Sequence, residues 1–331
     1  MICPKLITYR KFDALFLILL YIICNGNPIQ GQQLAQKGLY MLDPYSFNPA
    51  FGGLNNGLTV TGDFRKQWSD IEGRPVSEFV SAHMPLLNLN SGVGVNLIHE
   101  GIGASKIIEG SFSYNYILPQ TGPLFLSIGG GLGMISRQLD GNILRTPDGN
   151  YETSINHNDP NIPTTKISDN NGVINLGLAM RIGLLEMGIS SYQTVAFRIS
   201  NKDNYHYSPA HHFTLYTSYF YTFNENWKIV PNALIKYDMA SLQTELDIHL
   251  YNKNIFGGVG IRGYNSKSID AIKIIIGGRI TEKIMVAYNY ESALSGIKTY
   301  SGNSHELLLQ YRIPANLIER QKEKLIYHPR M

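Results

Sequence analysis

Four clusters in this chain of 331 residues bring together side chains that could do chemistry. His211 and His212, with His206 nearby, could offer imidazoles to a metal. Adjacent residues on a strand point to opposite faces, however, and cannot easily share one ion. Gly129-Gly130-Gly131-Leu132-Gly133 has the glycine density of a phosphate-cradling loop. No lysine stands at the required place and no helix follows, so the run fits a kink or a close-packing position within a strand. His305-Glu306 lacks the second histidine of a zincin helix. No Ser, His and Asp arrangement carries a nucleophile signature, although a triad assembled across strands would leave no local pattern. The residues thus point to no catalytic residue, no cofactor and no metal. The fourth cluster, Gln243, Glu245, Asp247 and His249, is different in kind, because it is a row of ionisable groups spaced by two.

That spacing identifies the element which positions the row. Leu242, Thr244, Leu246, Ile248 and Leu250 alternate with Gln243, Glu245, Asp247, His249 and Tyr251, giving a strand with one apolar face and one ionisable face. The same rhythm recurs in Val93–Leu97, Ile108–Tyr116 and Ile284–Tyr290. Repeated along a chain, it is the pattern of a transmembrane β-barrel whose charged positions face a lumen. A charge turned outward to the lipid midplane would cost about 2–4 kcal/mol. Candidate strands fall at 58–68, 76–84, 92–100, 106–117, 123–137, 172–182, 184–190, 211–223, 227–238, 241–251, 254–264, 269–280, 282–292 and 304–313. The expected fold is therefore all-β, an antiparallel barrel of about 14 strands, within a range of 12–16. The intervals Gln138–Asn171 and Tyr192–Ala210 read as long outer loops, and the alternate connections read as short inner turns.

Composition agrees with a barrel. Hydrophobic residues make up 44% and charged residues 16%, while the mean hydropathy is only -0.11, as expected when lipid-facing and water-facing positions average out. The 21 Tyr suit an interface between lipid and water. A net charge of +3 gives no argument for nucleic acid. Lys5, Arg10 and Lys11 precede the apolar run Ala14–Ile23 and then small or polar residues, the form of a cleaved signal peptide over residues 1–31. Both cysteines, Cys3 and Cys24, would leave with it, so the mature protein would have neither disulfides nor thiolate chemistry. Residues 32–57 would form an N-terminal lead-in, periplasmic or lumenal, 58–313 the barrel, and 314–331 a short basic periplasmic tail.

Asn48-Pro49-Ala50-Phe51-Gly52-Gly53, Arg65-Lys66-Gln67-Trp68, Gly73-Arg74-Pro75 and Gly92-Val93-Gly94 together resemble the opening of the PorP/SprF family of Bacteroidetes outer-membrane proteins. In the second half, Trp227 with Pro231, Leu234 and Lys236, then Leu246-Asp247, Gly257–Arg262, Tyr288–Glu291, Ser301–Glu306 and Tyr311-Arg312 follow that family's order. The resemblance implies a non-enzymatic component of the type IX secretion system in the cell outer membrane, surrounded by outer-membrane lipid. Its implied partners are periplasmic secretion components and a secreted cargo with a type B C-terminal domain, such as a large adhesin, with gliding motility supported in some species. The alternative is a passive or substrate-specific pore for small solutes.

Asn48, Pro49, Ala50, Arg65, Gln67 and Trp68 are the candidates for structural or partner-docking roles. Asn-Pro fixes a turn, since proline presets its own φ and moves the preceding residue away from helix. The segment would anchor the barrel seam or a lumenal plug, or else present a docking edge to a periplasmic partner. Trp68 reads as an interfacial anchor. Gln243, Glu245, Asp247 and His249 are the lumen-facing candidates, with cross-strand pairing to Lys228, Lys236 or Arg262 expected.

Overall fold

The computed structural model describes residues 35–119, 123–201, 207–264, 269–294, 296 and 298–314. The expected signal peptide, both cysteines, His206 and all of the tail beyond Pro314 lie outside these residues. The wall consists of β1 (Gly57–Lys66), β2 (Val76–Leu86), β3 (Ser91–Ile102), β4 (Ser105–Ile117), β5 (Leu124–Asp140), β6 (Lys166–Ile182), β7 (Leu185–Asn201), β8 (His212–Tyr219), β9 (Tyr221–Thr222), β10 (Trp227–Tyr237), β11 (Leu242–Asn252), β12 (Ile255–Tyr264), β13 (Ala271–Arg279), β14 (Ile284–Ala293) and β15 (Asn303–Pro314). Each strand runs antiparallel to its neighbours, and pairing of β1 with β15 and of β10 with β11 closes the ring. β8 and β9 lie end to end against β10, so the fifteen segments make a wall of fourteen strands. The break at Phe220 has a local cause. Tyr219 and Phe220 face the Val230-Pro231 pair between the two registers, and proline has no N–H to give to a neighbouring strand.

The two faces of the wall are inverted relative to a soluble protein. Ile272, Ile274 and Ile276 on β13, and Leu307 and Leu309 on β15, are exposed, whereas the alternating Lys273, Glu306 and Gln310 are buried. Tyr114, Tyr116, Tyr219, Tyr221, Trp227 and Tyr311 are exposed towards the end of the barrel with short turns, where amphipathic rings suit the lipid–water boundary. At that end the connections are short, as at 87–90, 183–184 and 253–254. The opposite end carries 67–75, 141–165 and 294–302. Short inner turns and longer outer loops are the ordinary asymmetry of outer-membrane barrels.

Two intervals expected as loops are partly strand. β5 continues to Asp140 and β6 starts at Lys166, which shortens the loop expected at 138–171. β7 continues to Asn201, which shortens the one expected at 192–210. Val195, Phe197 and Ile199 alternate outward and are exposed, but a bulge interrupts the rhythm just before them. The register between β6 and β7 shifts at Ile174/Leu176, and Gln193 has a φ of 53°. The bulge turns both Tyr192 and Gln193 inward, with exposures of 4% and 3%.

Residues 35–56 lie in the lumen as a chain of three short 3₁₀ turns, Tyr40–Leu42, Pro44–Ser46 and Pro49–Phe51. Leu39, Tyr40, Tyr45, Ala50 and Phe51 are each at most 2% exposed, and they share an apolar core with Tyr216, Leu234, Ile275, Ala287 and Leu308 of the wall. Tyr216 sits at its centre, its ring edge-on to Tyr40, Phe47 and Phe51 at 6.1, 5.7 and 5.7 Å.

Candidate functional site

Among the described residues the lumen gathers a dense set of buried charges, and its first anchor is Glu306 on β15. Its Oε2 accepts the backbone N–H of Gly38 at 2.8 Å and its Oε1 that of Leu39 at 2.9 Å, so one carboxylate holds two successive amides of the lumenal segment. Arg65 on β1 neutralises it with a contact of 3.0 Å and spans to Glu291 at 3.0 Å, which also pairs with Arg262. Register explains the cluster, because Arg65 stands opposite Glu306 on β15 and Asn289 stands opposite Glu306 on β14. A second cluster surrounds Lys273, whose Nζ lies 2.7 Å from Glu245 Oε2 and 2.9 Å from Asp247 Oδ1, beneath the ring of Tyr40. The wall thus carries alternating charges that neutralise one another, which is how buried charge is tolerated.

A third cluster includes the lumenal segment's own charges. Lys37 Nζ contacts Asp43 at 3.0 Å and Asp63 of β1 at 3.6 Å, while Ser81 of β2 donates to Asp43 at 2.9 Å. Burial works against charge on both partners, and opposite charge overcomes it. Asp43, then Asp63, hold the Lys37 ammonium above its ordinary value, and Lys37, then His83 and the Ser81 hydroxyl, hold the Asp43 carboxyl below its own.

The lower part of the segment is fixed by Asn48 and by missing side chains. Asn48 caps the Pro49–Phe51 turn by accepting from Ala50 N at 2.9 Å, and its Nδ2 donates to the carbonyls of Leu178 and Ile189 at 3.1 Å each. Those carbonyls belong to paired residues of β6 and β7. The turn approaches so closely that a Cβ on Gly129 would lie 2.5 Å from Ala50 N, one on Gly188 would lie 2.6 Å from the Phe51 ring, and one on Gly177 would overlap Asn48 Oδ1. The glycine run in β5 is therefore part of a notch cut into the wall for the Asn-Pro-Ala-Phe turn.

The candidates from the sequence divide accordingly. Asn48, Pro49, Ala50, Arg65 and Gln67 are buried, and their groups face the lumen or one another rather than a free edge. Trp68 is half-buried with a φ of 55°, and its N–H donates to Ser304 Oγ at 3.1 Å. Gln243, Glu245, Asp247 and His249 face the interior, with exposures of 6%, 0%, 1% and 0%. Their expected partners need correction. Lys236 does pair with Glu245, at 3.9 Å, but Lys228 lies over the Phe220 and Tyr251 rings and Arg262 turns to Glu291. The principal cation is Lys273, two strands away and inward because it alternates with Ile272 and Ile274. That alternation was readable in the sequence, whereas the pairing required the register. Glu291, Glu306 and the notch glycines Gly177 and Gly188 were also missed as lumenal anchors; alternation turns the two carboxylates inward, but no local pattern marks what they hold. Among the described residues no group of three or more His, Cys, Asp and Glu could hold a metal.

Among solved structures, the chain is similar to the Acinetobacter baumannii outer membrane protein Omp33, with 11% identity over 79% of this chain and 100% of that one at a TM-score of 0.45. It is also similar to the P. putida toluene transporter TodX, with 11% identity over 78% of this chain and 88% of that one at a TM-score of 0.43. No curated protein gives a match. The family model of the type IX secretion system membrane protein PorP/SprF matches residues 29–311, nearly the whole barrel with its lumenal segment. The chain therefore belongs to the PorP/SprF family of type IX secretion system membrane proteins.

Proposed function

We propose that this outer-membrane barrel is a non-enzymatic accessory of type IX secretion that assists export or surface attachment of a dedicated secreted protein with a type B C-terminal domain. Family membership supplies the secretion context. The observation that carries the choice over a solute pore is the occupied lumen. Leu39, Tyr40, Tyr45 and Phe51 are buried inside it, and Glu306 of the wall and the segment's own Asn48 tie it to the barrel at two separate points. A pore for small solutes needs a water-filled path, and here apolar side chains fill the space that a wall of this size leaves. The notch and the buried ion pairs support a scaffold whose lumen is shut by its own chain, with recognition at the periplasmic turns, the outer loops or the tail.

The test compares surface and culture-medium proteins of wild type and a clean deletion by mass spectrometry. Selective loss of one large protein with a type B C-terminal domain is the expected result and would name the cargo. An unchanged surface proteome, together with solute uptake by liposomes carrying the purified protein, would overturn the accessory role in favour of the pore.

A further inference from the structure

Deeper in the lumen the cations around Arg65 and Lys273 meet carboxylates of the wall, but the mouth at the end with the short turns is charged differently. Among the described residues, alternation turns four cations inward there, Arg181 of β6, Lys228 of β10, Arg279 of β13 and Arg312 of β15. One carboxylate faces them, Glu186 of β7, and Arg181 already holds it at 2.8 Å. The turns at the same end carry Lys253 and Lys283 with Glu225 and Glu282, so they add no net charge. The mouth is therefore left with an excess of positive charge.

The four cations converge on two rings. Lys228 Nζ lies 4.8 Å from the centre of the Tyr251 ring and 5.4 Å from that of Phe220, and the Arg181 guanidinium lies 5.6 Å from the Phe220 ring. Arg312 shares a cleft with the same two rings. Arg181 and Arg279 are both close enough to repel the Lys228 ammonium, and no carboxylate offsets them. Arg279 and Arg312 have contacts of their own, so the excess of charge, not a missing bond, marks this mouth. All four cations are half-buried and reachable from the aqueous side. Like charges gathered at such an opening raise the local potential for an anion. The cleft between them holds about 20 Å³, room for a water and no organic ligand, so an anion meets a surface rather than a pocket.

We propose that this mouth docks an acidic segment of a periplasmic protein, its carboxylates meeting Lys228, Arg279 and Arg312 and an apolar side chain between them lying on the half-buried Phe220 ring. Short turns place the mouth on the periplasmic side. A lipid headgroup cannot reach side chains that point into the barrel, and a small inorganic anion would leave the ring uncovered. A peptide chain answers both, and clusters of arginine and lysine are a recurrent means of recognising acidic segments. The inference rests on the accessory role proposed above, which brings a protein to this side of the membrane.

The test uses the full chain, purified and folded in detergent, with rhodamine-labelled peptides of three Glu-Glu-Phe-Gly, Gln-Gln-Phe-Gly or Glu-Glu-Ser-Gly repeats as probes in fluorescence anisotropy. Wild type should bind the Glu-Phe peptide saturably and more weakly as salt rises. The Gln peptide should bind at least about tenfold more weakly and the Ser peptide about threefold more weakly. Lys228→Gln with Arg279→Gln should weaken the Glu-Phe peptide at least about tenfold. Lys106→Gln with Lys298→Gln removes the same charge from exposed positions at the opposite end and should leave the affinity unchanged. Heat-modifiable gel migration verifies that each variant is folded. No saturable binding, equal binding of the Glu-Phe peptide and either control peptide, an affinity unchanged in folded Lys228→Gln/Arg279→Gln, or an equal loss in the opposite-end variant would overturn the proposal. A tenfold gain on deletion of residues 315–331 would overturn it too, by giving the mouth to the chain's own tail. The accessory role fails separately: an unchanged surface proteome in the deletion strain would sink that role while peptide binding stood, and cargo loss there without peptide binding would sink the docking site alone.

Discussion

At the scale of single residues, the lumenal segment is held by a few polar groups whose loss has a calculable sign. Glu306 accepts two backbone N–H groups and faces Arg65. Replacing it with glutamine leaves Arg65 to the carboxylate of Glu291, which Arg262 also contacts. Removing one partner from a buried pair costs about 3–5 kcal/mol, so Glu306→Gln should loosen the segment. Trypsin reads this directly, because Lys37 is 4% exposed and cannot be cut in place; the variant should be cleaved there while wild type resists. Asn48 gives a finer test. Asn48→Ala loses the cap and both donated bonds, about 1–3 kcal/mol, whereas Asn48→Asp keeps the cap but turns an anion towards the Leu178 and Ile189 carbonyls. Aspartate should therefore destabilise more than alanine in detergent unfolding, and the reverse order would show that the cap matters more than the wall contacts. The Lys37–Asp43 pair sets a pH window. Asp43 is held below 3.8, so its contribution is present above that value and lost as pH falls through the lower folded one. Lys37 is held above 10.5, so its contribution is present below that value and lost as pH rises through the higher folded one. Resistance of Lys37 to proteolysis should be flat between those limits, and a step near neutrality would count against this pair as the latch.

At the scale of elements, what was legible follows from what local pattern encodes. Period-two alternation located every wall strand, since lipid outside and water or charge inside impose it on each strand separately. It failed where a bulge shifts the phase. The outward set Val195, Phe197 and Ile199 continues β7 beyond the bulge at Gln193, but the sequence breaks rhythm there and resembles a loop. Lumenal partners were less legible, because the choice of Lys273 over Lys228 for Glu245 depends on register and on where the plug's Tyr40 ring sits. The glycine run was readable as a close-packing site, but its partner was not. Ala50 is 79 residues earlier in the chain, and only the closed ring brings the two together. This contact predicts opposite outcomes for neighbouring glycines. Gly129→Ala places a methyl against Ala50 N, whereas the nearest atoms to a Cβ on Gly130 are 4.0 Å away. Gly129→Ala should release the turn and expose Lys37 to trypsin, while Gly130→Ala should match wild type; equal behaviour would remove the notch from the account.

At the scale of the whole molecule, the question is why a barrel with more wall than its own side chains need carries its filling on the same chain. About eight strands suffice for side chains to pack a lumen, and fourteen leave a space that water or a plug must occupy. Here residues 35–56 occupy it before the chain enters β1, and the contacts are graded. Apolar burial of Leu39, Leu42 and Phe51 contributes about 1.5–3 kcal/mol for each large side chain, while the polar anchors fix where the segment sits rather than supply most of its attraction. A barrel shut in this way should be silent in planar bilayers as the full chain, and deletion of residues 37–51 should yield stable ion-conducting steps, because the wall closes through its own hydrogen bonds without the plug. The intermediate case is informative as well. Glu306→Gln combined with Asn48→Ala keeps every apolar contact and the Lys37–Asp43 cluster while removing two polar anchors, so it should flicker between closed and conducting states rather than open permanently. Steady conduction by the unmodified chain would mean that the lumenal segment does not seal the barrel, and the closed-scaffold account of its role would fall with it.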